Sequence, residues 1–197
     1  MEDQRKTDWT KLIGVVVLVL LTVECAFLIF QNRQLKSVIA AMSAGSGERR
    51  EALKTGDIVD PFAITTLDGK SAELNYPDST RKYLLFVFST TCPHCEKNYS
   101  RWSAISDSIR GTGCDVIGVS VHSVDQTQTY VKSKAGGFQT VCVTDTSFGR
   151  RYKIVGVPET ILIRGNRTVE KSWIGELTAD NIKEIEALTG AAKVLTH

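Results

Sequence analysis

"KYLLFVFSTTCPHC", residues 82–95, joins an apolar run to two closely spaced cysteines. The apolar part, residues 82–89, is nearly continuous, which predicts a strand buried on both faces of a sheet. Beyond the cysteines, apolar side chains recur at roughly helical spacing, at Tyr99, Trp102, Ile105 and Ile109. The stretch therefore predicts a buried strand that ends near Cys92 and a helix that begins there.

The predicted corner favours thiol chemistry. Pro93 suits the first position of a helix, because a proline lacks the N–H group that would have no partner there. The first-turn N–H groups and the helix dipole stabilise negative charge, so a thiol at Cys92 ionises more readily. A protonated His94 adds to that stabilisation, and Cys95 lies one turn further on the same side. A C-x-x-C sequence at such a corner predicts a redox-active pair, Cys92 and Cys95.

Two other uses of the cysteine pair are less favoured. A zinc site needs four ligands, usually in two close pairs, whereas the other candidates stand singly in the sequence, at Cys114, His122 and Cys142. A purely structural disulfide in so tight a loop would constrain little of the unfolded chain. We therefore predict no metal and no cofactor. Cys114 and Cys142 are either buried free thiols or, in an exported domain, a disulfide.

The chain after residue 110 alternates between strands and helices. Strands are predicted at residues 115–121, 140–145, 159–164 and 168–175, the last two joined by a Gly165–Asn166 turn. Helices are predicted at residues 124–134, 147–154 and 178–188, with Thr178 as the N-cap of the last. This order predicts an α/β fold with a mainly parallel central sheet and one late hairpin.

The N-terminal region has a different composition. Residues 12–30 are nineteen residues with one charge, Glu24, and a helix of this length would span about 28 Å, close to the thickness of a bilayer core. No small-residue cleavage site follows promptly, so an uncleaved transmembrane anchor is predicted. The short tail before it favours a cytoplasmic N-terminus and an extracytoplasmic domain. The predicted organisation is a tail (1–11), the anchor (12–30), a juxtamembrane helix and linker (31–55), a globular domain (56–190) and a C-terminal tail (191–197).

Charge adds one exclusion. The formal net charge is +2 and no dense run of lysine and arginine occurs. A basic patch is the usual signature of nucleic-acid binding, so no nucleic-acid partner is predicted.

Two segments carry a resemblance to a known family. "STTCPHC", residues 89–95, and "VGVPETILI", residues 155–163, resemble the thioredoxin-like superfamily over residues 56–190, and within it the membrane-tethered TlpA/ResA/CcmG (DsbE) branch. The resemblance implies a thioredoxin-like fold, with a central mixed sheet flanked by helices. It also implies that Pro158 is a cis-proline beside the cysteines and that Val157 presents its backbone to a substrate chain. The Pro93–His94 dipeptide is instead typical of the oxidant DsbA.

The sequence departs from the family pattern at three positions around the cysteines. Thr91 replaces the common tryptophan, Phe86 replaces the buried acid of thioredoxin, and Asn98 replaces a glutamate frequent in the tethered branch, although Glu96 is nearby. These departures leave open which group handles the proton of Cys95. Glu159, after the implied cis-proline, is a candidate for that role, the alternative being an ordinary solvated strand end.

The resemblance implies a membrane-tethered thiol-disulfide oxidoreductase that acts on protein disulfides or dithiols. The tethered branch favours a reductant supplied with electrons by a membrane partner, as in cytochrome c maturation. A DsbA-like oxidant is one alternative. A thiol peroxidase of the same fold is another, which would need an arginine beside the thiolate, and Arg101 and Arg150 are the nearest in sequence.

Overall fold

The computed structural model describes residues 51–191 and, in the N-terminal region, residues 18, 20, 21 and 24. The chain divides into two compact units, Met1–Arg49 and Arg50–His197. The four described N-terminal residues are helical and exposed. Within the described residues, no helix has both the length and the apolar character that a membrane crossing requires. Most of the predicted anchor (12–30) and juxtamembrane segment (31–55), and residues 192–197, lie outside the described residues.

In the second unit, the described residues form seven strands and four helices. They follow the chain in this order: β1 (Phe62–Thr66), β2 (Ser71–Leu74), β3 (Lys82–Phe88), α1 (Pro93–Ile109), β4 (Cys114–Ser120), α2 (Val124–Lys132), β5 (Gln139–Val143), α3 (Phe148–Arg151), β6 (Glu159–Arg164), β7 (Val169–Ile174) and α4 (Ala179–Thr189).

The strands form one mixed sheet in the order β2-β1-β5-β4-β3-β6-β7. Only the β3–β4 and β4–β5 pairings are parallel, whereas β1 and β6 run antiparallel to their neighbours. The mixed sheet implied by the family is thus confirmed, and the expectation of a mainly parallel sheet is wrong. The reason is that the β1–β2 hairpin, which sequence periodicity did not reveal, joins one edge antiparallel, and the predicted β6–β7 hairpin does so at the other.

The sheet separates two apolar cores. On one face, which we call the α1 face, Phe86, Leu162 and Cys95 pack with helices α1 and α4. On the opposite face, Val87 and Ile161 pack with residues around α3. Successive side chains of β3 lie in the two cores alternately, which explains its continuous apolar sequence.

The structure refines the predicted start of the globular domain. Leu53, within the predicted linker, is buried in the core of the opposite face. Thr55 Oγ1 donates a hydrogen bond to the Glu170 carbonyl at 2.9 Å. The packed region therefore begins a few residues before Gly56.

Helix α1 is held against the sheet by Trp102, which is fully buried. Its indole stacks on Phe86, with ring centroids 5.1 Å apart, and its Nε1 donates to Thr160 Oγ1 at 3.0 Å. These contacts join the helix to β3 and β6, and the short connection from Phe88 to Pro93 places its N-terminus at the carboxyl end of β3. At the other end of the domain, Thr178 is the N-cap of α4, as predicted.

Candidate active site

Cys92 occupies the predicted strand-to-helix corner. It is the N-cap residue of α1 in extended conformation, and Pro93 is the first helical residue. Its backbone N–H donates to the Ser89 carbonyl at 3.3 Å, and its carbonyl accepts from Glu96 N at 3.1 Å. The side chain is partly exposed, so an external disulfide can reach the sulfur.

Cys95 differs from Cys92 in its environment. It is fully buried among the apolar side chains of the α1 face, and both cysteines are free thiols. Burial raises the pKa of the Cys95 thiol to about 12. At neutral pH Cys95 is therefore a protonated thiol, because an apolar environment disfavours the charged form.

The loop before β6 lies beside Cys92. The Val157–Pro158 peptide bond is cis, as the resemblance implied. Cys92 Sγ is 3.5 Å from the Val157 carbonyl oxygen. Pro158 is buried, whereas Val157 is partly exposed and packs against both cores. The structure thus brings together four predicted site residues, Cys92, Cys95, Val157 and Pro158.

His94 makes a contact that the sequence did not indicate. Its Nδ1 lies 2.6 Å from Glu176 Oε1, and Lys97 Nζ lies 3.2 Å from the same oxygen. These hydrogen bonds, the one from His94 first, hold the pKa of Glu176 below its ordinary value. The histidine between the two cysteines is therefore paired with a carboxylate.

Asn98, one of the departures from the family pattern, and the nearby Glu96 both have structural partners. Asn98 is fully buried and bonds two backbone groups, donating to the Gly175 carbonyl at 3.1 Å and accepting from Leu177 N at 2.9 Å. Glu96 is exposed and pairs with Lys134. Asn98 therefore joins α1 to the loop between β7 and α4, a task that its neutral amide performs with both of its polar ends.

Glu159 is fully buried, so it is not a solvated strand end. It pairs with Val87 across the sheet, and strand alternation places its side chain on the opposite face, away from the core that contains Cys95. Ser172 Oγ donates to Glu159 Oε1 at 2.8 Å, while Oε2 is buried without a hydrogen-bond partner. Burial raises the pKa of Glu159 to about 7. Glu159 can therefore exchange a proton near neutral pH, but it does so across the sheet from Cys95.

His122, considered above as a zinc ligand, instead belongs to a hydrogen-bonded group at the loop that precedes Cys92. His122 Nε2 lies 2.8 Å from Ser89 Oγ, which in turn lies 3.1 Å from Thr91 Oγ1. On its other side, His122 Nδ1 is 3.2 Å from Gln126 Oε1. The sequence contained a signal for this contact, because β3 and β4 are parallel and His122 comes after β4 as Ser89 comes after β3. The carboxyl ends of parallel strands meet at one edge of the sheet.

The other candidate ligands do not form a metal centre in the described part of the chain. There, no group of three or more His, Cys, Asp or Glu side chains is arranged to hold a metal ion. Cys114 and Cys142 are buried free thiols in the structure, and no disulfide joins them.

The sequence profile described as the AhpC/TSA family matches residues 55–172, which is more than half of the chain. The chain belongs to the AhpC/TSA family. Sporulation thiol-disulfide oxidoreductase A of Bacillus subtilis is 23% identical over 127 residues, or 62% of this chain and 76% of that protein. Thiol-disulfide oxidoreductase ResA of Halalkalibacterium halodurans is 25% identical over 140 residues, or 71% of this chain and 79% of that protein.

A solved structure shares this fold. A Chlorobium tepidum protein assigned as the thiol:disulfide interchange protein DsbE superposes with a TM-score of 0.61 at 18% identity, covering 70% of this chain and 99% of that one. The thioredoxin-like fold is thus confirmed. The comparisons also confirm the resemblance to TlpA/ResA/CcmG-type proteins and the prediction of a thiol-disulfide oxidoreductase.

Proposed function

We propose that this protein is a membrane-tethered reductant that exchanges the Cys92/Cys95 pair with disulfides of protein substrates outside the cytoplasm. One observation carries the proposal: the partly exposed Cys92 has its sulfur 3.5 Å from the Val157 carbonyl oxygen beside the cis-proline, and the Cys95 thiol is buried. This arrangement offers one sulfur for attack, a second for release, and a backbone edge for an extended substrate.

The exchange proceeds in two displacements. In the first, the Cys92 thiolate attacks one sulfur of the substrate disulfide; an S–S bond forms between Cys92 and that sulfur, and the other substrate sulfur leaves as a thiolate. In the second, Cys95 gives its proton to water or to the first substrate thiolate and attacks the Cys92 sulfur; a Cys92–Cys95 bond forms, the mixed disulfide breaks, and the second substrate sulfur leaves as a thiolate. The substrate gains two electrons, and the Cys92–Cys95 pair becomes a disulfide that a membrane electron-transfer partner must reduce again.

The tether is proposed from the N-terminal sequence, because residues 12–30 have the length and composition of a transmembrane helix. The location outside the cytoplasm is proposed from the resemblance to the membrane-tethered TlpA/ResA/CcmG branch. We expect the full-length protein to stay in the membrane pellet after alkaline carbonate extraction, and a variant without residues 1–30 to be released. A membrane-impermeant maleimide should label Cys92 in intact cells. Labelling only after lysis would contradict the proposed location.

The direction of electron flow is tested by the reduction potential of the Cys92/Cys95 pair. A value near about −270 mV, as in thioredoxin, supports the reductant, whereas a value above about −150 mV supports the DsbA-like oxidant that Pro93–His94 favours. The potential is measured by equilibration of the full-length protein with glutathione or dithiothreitol buffers.

A parallel assay tests the type of chemistry. We expect reduction of insulin disulfides that depends on Cys92, without significant consumption of hydrogen peroxide. Both arginines considered for a peroxidase are exposed, Arg101 within α1 and Arg150 within α3. Peroxide consumption at a rate well above that of insulin reduction would overturn the proposal.

A further inference from the structure

Glu176 occupies a defined position beside the residue between the two cysteines. Its Oε1 is 2.6 Å from His94 Nδ1 and 3.2 Å from Lys97 Nζ. The carboxylate belongs to the loop between β7 and α4, far from His94 in sequence. A single surface ion pair usually contributes little, so the question is whether the fold holds this one in place.

Three hydrogen bonds to its own backbone groups fix the loop that carries Glu176. Asn98, fully buried in α1, bonds the residues on both sides of Glu176, at the Gly175 carbonyl and the Leu177 N–H. Gly175 N also donates to the Pro158 carbonyl at 2.8 Å, which joins the loop to the cis-proline. The chain turns at Gly175 with a φ of +90°, a conformation that glycine adopts without strain. The Glu176 carboxylate is thus presented to His94 by the same elements that surround the cysteines.

The charge of His94 matters for the redox pair. A protonated imidazole next to Cys92 stabilises the thiolate and so favours the reduced dithiol, which makes the disulfide a stronger oxidant. A carboxylate held against that imidazole opposes its effect on the thiolate. The other charged side chains in the first turns of α1, Glu96 and Lys97, are engaged by Lys134 and Glu176 respectively.

We propose that Glu176 is a positioning residue that counteracts the His94 imidazolium and thereby lowers the oxidising strength of the Cys92/Cys95 pair. The inference rests on the proposed function and deepens it, because it explains how a Pro-His dipeptide fits in a reductant. The carboxylate holds His94 and cancels part of its positive charge at the Cys92 sulfur.

Glu176→Gln tests this with little change in shape. Glutamine retains an oxygen that accepts from His94 and Lys97 but removes the negative charge. At pH 6 and low ionic strength, we expect the equilibrium of the variant with glutathione to shift toward the dithiol by about threefold to tenfold relative to wild type. At 29.6 mV per tenfold, this equals about 14–30 mV toward a more oxidising couple. The shift should decrease at about 0.5 M salt, because salt screens partly exposed charges.

Two controls make the result specific. Glu73→Gln removes the same charge from an exposed position in β2, and its effect on the equilibrium should stay below about 1.5-fold. In a His94→Ala background, Glu176→Gln should lose most of its effect. An unchanged equilibrium in Glu176→Gln, an effect equal to that of Glu73→Gln, or the same shift without His94 would each overturn the inference. If wild-type protein reduces no disulfide at all, the proposed function fails instead.

Discussion

Each face of the central sheet buries a titratable side chain whose pKa is raised, with different consequences. On the α1 face, burial raises the pKa of Cys95 to about 12; on the opposite face, it raises that of Glu159 to about 7. The physical cause is the same, since an apolar environment disfavours the charged form of both groups. Because a thiol starts from a higher pKa than a carboxyl, burial keeps Cys95 protonated at neutral pH but leaves Glu159 able to gain or lose a proton there.

The largest expected effect separates the two cysteines. Cys92→Ser should lose insulin-disulfide reduction to the level without enzyme, because the accessible nucleophile is gone. In the Cys95→Ser variant, Cys92 should still attack the substrate disulfide. The variant should therefore accumulate a mixed disulfide with substrate, visible on non-reducing gels and by mass spectrometry. Cys114→Ser, the same change at another buried thiol, should retain activity. A mixed disulfide formed by Cys95 in the Cys92→Ser variant would reverse the assigned roles.

The burial of Cys95 predicts its reactivity. In a Cys92→Ser variant at pH 8, iodoacetamide should alkylate Cys95 at least about a hundredfold more slowly in the folded protein than in urea. The reason is the small thiolate fraction that follows from a pKa of about 12, against about 8.5 for an unperturbed cysteine. Quantifying the alkylated peptide by mass spectrometry distinguishes this site from the other cysteines. Equal rates in folded and unfolded protein would contradict the burial of Cys95.

Glu159 predicts a stability that falls as pH rises. Its folded pKa of about 7 exceeds the unfolded value of 4.5, so the folded state binds the extra proton and loses this advantage as pH increases through 7. Between pH 5 and pH 8 the wild type should lose up to about 3 kcal/mol of unfolding free energy relative to Glu159→Gln. Urea titrations at both pH values measure this, with Glu73→Gln as the exposed control. If the unfolding free energies of wild type and Glu159→Gln changed in parallel with pH, the folded protein would not raise the pKa of this carboxyl.

The smallest effect is expected at His122. His122→Ala removes the hydrogen bond to Ser89 Oγ and should cost about 1 kcal/mol of unfolding free energy. Insulin reduction should stay within about twofold of wild type, because in the described residues the ring forms hydrogen bonds with Ser89 and Gln126 and not with either sulfur. A tenfold loss of activity without a matching loss of stability would assign His122 to the exchange itself.

Much of the fold was predictable because the relevant signals are local. β3, α1 and the β6–β7 hairpin follow from the spacing of apolar residues and from turn residues between them. The β1–β2 hairpin escaped prediction because its half-exposed strands lack a clear apolar alternation. The proportion of parallel strand pairs was mispredicted for the same reason. An alternating order of strands and helices does not reveal that an unrecognised hairpin will pair antiparallel with the sheet.

By itself the sequence determined the corner where β3 ends and α1 begins, the two cysteines and proline at that corner, and the cap of α4. Each of these depends on residues within one or two turns of one another. The tertiary structure alone decided that Glu176 pairs with His94, that Asn98 bonds the β7–α4 loop, and that Glu159 lies across the sheet from Cys95. Those contacts join residues more than seventy positions apart or depend on strand register, and no short-range periodicity encodes either.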